Sequence, residues 1–162
     1  GDTPYGLTDL LGLRREEIDG MYDGETCHCA APDNGVLEAD GSILCEVAAL
    51  NDADPATPLM LYTEDYYAGR PAAAVHGFGK GYAYYLASRF NADFYNDFYA
   101  QVCEKARLAP AWPEALPAGV LATRRGDFVF MQNCNDHSVE IDGVELEKYS
   151  TRLVQVEPAD EG

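Results

Sequence analysis

Two unbroken apolar runs, Ala72 to Val75 and Tyr82 to Leu86, flank alternating glycines at 77, 79 and 81. Runs with so little polar alternation predict strands covered on both faces, and the glycines predict the hairpin reversal between them. Upstream, Thr8 predicts the cap of a short helix through Leu11 that Gly12 ends, followed by an RREEID strand with Ile18 inward. Met21 to Gly24 and Pro32 to Gly35 read as turns around a short Glu25–Ala31 strand. ILCEVAAL (43–50) and Leu59 to Tyr62 read as strands either side of the loop NDADPATP.

A helical period follows. Phe94, Tyr95, Phe98, Tyr99, Val102, Cys103 and Ala106 form one apolar stripe, with Asn91 or Asp93 at the start, Lys105 and Arg107 in the last turn and Pro110 as the stop. PAWPEALP then breaks every period and marks a domain boundary. Beyond it, Val120 to Thr123, Phe128 to Cys134, Val139 to Ile141 and Leu153 to Val156 predict short strands. Arg125-Gly126-Asp127, Asn135-Asp136-His137 and the hairpin signal Asp142-Gly143 separate them, as expected of a small antiparallel sandwich.

Composition narrows the function classes. With 28 acidic and 11 basic residues among 162 the net charge is −17, which repels nucleic acid and anionic membrane surfaces. No apolar run approaches the roughly 18 residues of a membrane span, and the N-terminus has no basic segment leading an apolar core. Five cysteines, at 27, 29, 45, 103 and 134, are scattered through apolar segments, a pattern that fits reduced thiols in the cytoplasm.

None of the reactive residue types assembles into a motif. Gly77-Phe78-Gly79-Lys80-Gly81 lacks phosphate-loop spacing and joins two strands, so it reads as a hairpin. Cys27-His28-Cys29 holds zinc-ligand types, but an extended strand turns the two thiols to one face and the imidazole to the other. His76 and His137 have no nucleophile motif beside them, and Asp52, Asp54, Glu64 and Asp65 lack the calcium-loop pattern. Tyr62, Tyr66, Tyr67, Tyr82, Tyr84 and Tyr85 crowd one region; they suit a core or a subunit interface, and the alternative is a sugar-binding platform built on their rings.

Several segments in order resemble one family. Leu11-Gly12 with Glu16-Glu17-Ile18-Asp19, then Gly69-Arg70-Pro71-Ala72, Phe78-Gly79-Lys80-Gly81 and Ala83-Tyr84-Tyr85-Leu86, are similar to the end of the middle domain of family 42 β-galactosidases. Thr123-Arg124-Arg125, Phe128, Phe130, Asn133, Leu146 to Tyr149 and Leu153 to Val156 are similar to that family's small C-terminal β domain. The resemblance implies a partial flavodoxin-like α/β domain, related to class I glutamine amidotransferases and associated with trimer formation, over 1–109. It further implies a proline-rich linker over 110–118 and an all-β antiparallel sandwich over 119–162.

It also implies a chain without catalytic, cofactor-binding or metal residues of its own. The family's catalytic glutamates lie in a preceding barrel, and its acid/base Glu follows an Asn, a dipeptide absent from this sequence. Retaining hydrolysis needs two carboxylates about 5–5.5 Å apart across the scissile bond. The expectation is a non-catalytic accessory region of a retaining β-galactosidase, partnered by the rest of its parent chain in a homotrimer. Cys27, His28 and Cys29 match nothing in the family pattern.

Overall fold

The computed structural model describes residues 6–35 and 37–156. The chain divides into two compact units, Gly1–Ala100 and Gln101–Gly162.

In the first unit a four-residue helix α1 (Thr8–Leu11) leads into strands β1 (Leu13–Gly20), β2 (Thr26–Ala30), β3 (Glu38–Leu50), β4 (Thr57–Tyr62), β5 (Pro71–Phe78), β6 (Gly81–Leu86) and β7 (Ser88–Arg89). The strands run in the order β1-β3-β2-β4-β5-β6, and β7 returns to pair with β3. β1 and β2 lie end to end along one edge of β3, pairing its residues 44–50 and 38–42. Ala87, between β6 and β7, donates to the Ala72 carbonyl at 2.9 Å and accepts from the Glu46 amide at 2.7 Å. The sheet thereby closes on itself through β3, β2, β4, β5 and the β6–β7 segment.

Every strand pairing among the described residues is antiparallel. The doubly wound parallel arrangement of a flavodoxin-like half-domain is not present there. Parallel neighbours need a crossover of a dozen or more residues, usually a helix; here the strands are joined by turns, and the one long helix among the described residues, α2 (Ala92–Lys105), comes after the seventh strand.

Other expectations shift by a residue or a face. Thr8 is the first helical residue, not the cap: Leu7 holds the cap position with no side-chain bond, while Gly12, at φ 62°, ends α1 as expected. Ile18 is 49% exposed rather than inward. A bulge between Arg15 and Glu17 interrupts β1, which is a terminal strand of the sheet. β5 is buried as its alanines demand, but β6 is not covered on both faces: Gly81 and Tyr82 are exposed at the hairpin tip and Ala83 to Leu86 are half-buried. β3 begins five residues before the expected Ile43, because Glu38–Ser42, polar in sequence, pairs with β2.

α2 starts as predicted, with the Asn91 Oδ1 accepting from the Phe94 amide at 2.8 Å. Its buried stripe is narrower than its sequence implies. Phe94 and Phe98 are buried, Tyr84 meeting Phe98 edge-on at 5.5 Å, whereas Tyr99 and Cys103 are exposed. The helix ends before Pro110: Arg107 turns left-handed at φ 53°, outside the last turn, and the Leu108 amide bonds back to the Cys103 carbonyl at 2.9 Å.

The second unit contains β8 (Val120–Arg125), β9 (Phe128–Asn133), β10 (Val139–Ile141), β11 (Val144–Leu146) and β12 (Thr151–Gln155). β12-β9-β8 form one antiparallel sheet and β10-β11 a hairpin. The Asp142-Gly143 turn has positive φ at both residues, the type I′ geometry its sequence signals. Val120, Val129, Met131 and Leu146 form the core between sheet and hairpin, and Trp112 and Leu116 of the proline-rich segment pack onto it. The arrangement is consistent with a β-sandwich.

Candidate functional site

The centre of the first unit is an enclosed cluster of sulfur and phenol groups. Strand alternation turns Cys27 and Cys29 of β2 inward and leaves His28 outside, where its Nδ1 lies 2.9 Å from Asp40. The Asp40 contact raises the His28 pKa above its ordinary value, against a smaller opposing effect of burial. Cys45 of β3 joins the two thiols, and its Sγ lies 2.9 Å from that of Cys27. All three are at most 1% exposed. Cys45 also approaches the Met21 sulfur at 3.8 Å, and Cys29 the Cys27 carbonyl at 3.6 Å. Gly41 sits opposite Cys27, and its missing side chain is the space that the Cys27 sulfur and Ser88 occupy.

These thiols are not activated. Contact with Cys29, followed by burial, pushes the Cys27 thiol well above its ordinary range. Burial, followed by Cys27, pushes Cys45 up to about 12. Reactive cysteines are held low by cationic neighbours, and no cation contributes at either thiol. Among the described residues no group of three or more His, Cys, Asp and Glu is arranged to hold a metal ion.

The six tyrosines do not form a platform. Tyr62 and Tyr67 are core residues at 1% and 2% exposure, meeting edge-on at 4.9 Å. Tyr66 and Tyr82 are exposed, and Tyr84 and Tyr85 are half-buried. Tyr85 donates to Glu46, which also pairs with Arg15 at 2.6 Å, so this ring ties β6 to β3 and β1. A stacking surface needs adjacent open faces, and here the closing of the sheet sends neighbouring rings inward and outward.

The glycine-rich segment is the β5–β6 hairpin, with Phe78 paired to Gly81 and Gly79 at φ 58°. Arg125-Gly126-Asp127 turns β8 into β9. His76 is buried; its Nδ1 donates to the Leu10 carbonyl at 2.9 Å, and its Nε2 lies 3.3 Å from the exposed Asp54. In the second unit Glu114 and Asp142 share a hydrogen bond that raises the Glu114 carboxyl, and both are exposed. Asp142 borders a half-open cavity of about 110 Å³, walled mainly by Trp112, Met131, Ile141, Leu146 and Val154. A carboxylate pair facing across an apolar-walled space of this kind is not formed, because Glu114 does not line it.

Sequence reasoning placed Cys27 and Cys29 on one face but did not bring Cys45 to them. Only strand register makes that contact, and no local signal in ILCEVAAL encodes it.

Residues 1–109 match the family described as the β-galactosidase trimerisation domain. The chain is 40% identical over 87% of its length to β-galactosidase BglY of Alicyclobacillus acidocaldarius, covering 21% of that protein. It is 33% identical over 91% of its length to β-galactosidase Pbg of Clostridium perfringens, covering 22% of it. Among solved structures, the cold-adapted β-galactosidase of Rahnella sp. R3 superposes with a TM-score of 0.74 at 32% identity, over 94% of this chain and 25% of that one. The GH42 β-galactosidase Gan42B of G. stearothermophilus, in its E323A form, shares the fold at a TM-score of 0.72. The chain thus spans about a fifth of the length of the curated relatives it matches. On the strength of the matched residues, the chain belongs to the β-galactosidase trimerisation-domain family of GH42, through residues 1–109.

Proposed function

We propose that this chain is the non-catalytic C-terminal accessory region of a retaining β-galactosidase and acts in subunit assembly. Residues 1–109 are then the C-terminal portion of the middle, trimerising domain, 110–118 the linker and 119–162 the terminal β domain. Its partners are the rest of the parent polypeptide and two further copies in a cytoplasmic homotrimer. The observation that carries this reading is the match of 1–109 to a family described by trimerisation. It is supported by the chemistry: the buried thiols have raised pKa values, and the reactive side chains described above serve strands and turns.

No helix among the described residues is long and apolar enough to cross a membrane. The enclosed thiols, free in the structure, suit a reducing compartment.

Two measurements test the proposal. The purified chain is expected to show no turnover of a chromogenic β-galactoside, and turnover that persists through repurification overturns the non-catalytic reading. Light scattering on the same sample is expected to show association at high concentration; a strict monomer overturns the assembly role for this region.

A further inference from the structure

The Cys27 and Cys45 sulfurs, on the paired strands β2 and β3, approach to 2.9 Å inside the closed sheet. A disulfide holds its sulfurs about 2.05 Å apart, so closure asks the two atoms to move together by less than about 1 Å. The surroundings favour that pairing over others. Cys29 points its sulfur at the Cys27 carbonyl, and Cys103 and Cys134 are exposed residues outside this cluster. Gly41 leaves the space in which the Cys27 sulfur already sits.

We propose that Cys27 and Cys45 are a redox pair, thiols in the resting chain and a disulfide after exposure to a peroxide. The two thiols are equally enclosed, Cys45 against Met21 and Cys27 against Gly41 and Ser88, and the steps are the same with their roles exchanged; in one order Cys45 reacts first. The Cys45 sulfur attacks one peroxide oxygen and the O–O bond breaks. This gives a sulfenic acid on Cys45, while the thiol proton leaves with the second oxygen as water. The Cys27 sulfur then attacks the Cys45 sulfur, the S–O bond breaks, and the hydroxyl departs with the Cys27 proton as a second water. Two thiols and one peroxide become one disulfide and two waters; the sulfurs are oxidised and the peroxide is reduced.

The raised pKa values make the thiolate scarce, so the pair responds to sustained oxidation and not to a brief pulse. A small oxidant is required, since a bulky disulfide reagent has no room inside the sheet. Joining β2 to β3 adds a covalent link between two strands already paired in the ring, which makes oxidation a covalent record written into the scaffold and not into a catalytic group.

The test uses the whole chain carrying C103S and C134S, which removes the exposed thiols. After prolonged hydrogen peroxide, unfolding in an alkylating agent is expected to leave Cys27 and Cys45 unlabelled and Cys29 labelled. Peptide mass spectrometry is expected to show the Cys27 and Cys45 peptides linked, with the loss of two hydrogens, and dithiothreitol to restore labelling. Cys29→Ser is expected to retain the link. Full labelling of Cys27 and Cys45 after peroxide, or a link from either one to Cys29, overturns the proposal, and neither outcome depends on a variant of the pair folding.

Discussion

The Tyr62 hydroxyl donates to the Ala87 carbonyl at 2.9 Å, at the residue through which β6 passes into β7. That carbonyl already accepts from the Glu46 amide at 2.7 Å, so the phenol braces the closure from inside without being its only bond. Tyr62→Phe keeps the ring and leaves the carbonyl one partner; the expected loss is about 0.5–1.5 kcal/mol. Tyr62→Ala removes a fully buried ring and is expected to cost about 3–5 kcal/mol. Urea unfolding of the two variants checks this, and equal losses would mean that the hydroxyl, not the ring, dominates.

The two glycines 41 and 77 both lie in strands, yet alanine is expected to act on them in opposite ways. A Cβ on Gly41 would meet the Ser88 Cβ at 2.8 Å and the Cys27 sulfur at 2.9 Å, both fixed in the core. Gly41→Ala is therefore an overpacking change, with an expected cost of about 1–3 kcal/mol. A Cβ on Gly77 meets nothing within 4 Å. Gly77→Ala is expected to be neutral or slightly stabilising, since it restricts the unfolded chain. Paired thermal melts decide it, and a Gly41→Ala protein as stable as Gly77→Ala would refute the packing described around Cys27.

How far the sequence reaches is clear from these same positions. The hairpins at Gly79 and Asp142-Gly143, the Asn91 cap and most strand centres are legible because each depends on a few adjacent residues. The closure of the sheet is not, because it rests on Ala87 bonding to Ala72 and Glu46, partners 15 and 41 positions away in the chain. Ile43 shows the same limit. Alternation would turn it inward with Gly41 and Cys45, but it takes φ 71° at the bulge in β3 and is half exposed. The resemblance to the family survived these errors because it rests on ordered segments and not on strand direction.

His76 makes stability depend on pH. Its bond to the Leu10 carbonyl, and after it the nearby Asp54, hold its pKa above the ordinary 6.5 in the folded chain, against the opposing effect of burial. A raised folded value means that the protonated form is favoured by folding. The contribution is fully present below the ordinary value and disappears as pH rises through the folded one. Melting temperatures of the wild type are therefore expected to fall relative to Asp54→Asn as pH increases from slightly acidic to slightly alkaline. A ring titration by NMR that places His76 at or below 6.5, or that does not move downward in Asp54→Asn, contradicts the assignment.

Asn133 organises the second unit from a single side chain. It is 2% exposed, and its Nδ2 donates to the carbonyls of His137 at 2.9 Å, Leu146 at 3.1 Å and Glu147 at 3.0 Å. Its Oδ1 accepts from the Asn135 amide at 2.9 Å. One amide thus fastens the segment after β9 to the end of β11. Asn133→Ala takes a donor from these carbonyls and the acceptor from an amide; the Glu147 carbonyl keeps the Ser150 hydroxyl at 2.7 Å, and each group left buried without a partner costs about 1–3 kcal/mol. Asn133→Asp is expected to be the worse change although it is smaller in shape: a carboxylate donates nothing and sets a charge against three carbonyl oxygens. Denaturation midpoints at neutral pH are expected to fall in the order wild type, Ala, Asp. Acidification should narrow the gap between the last two as the carboxyl takes up a proton. An Asp variant equal to wild type at neutral pH would show that the amide is not the donor in this junction.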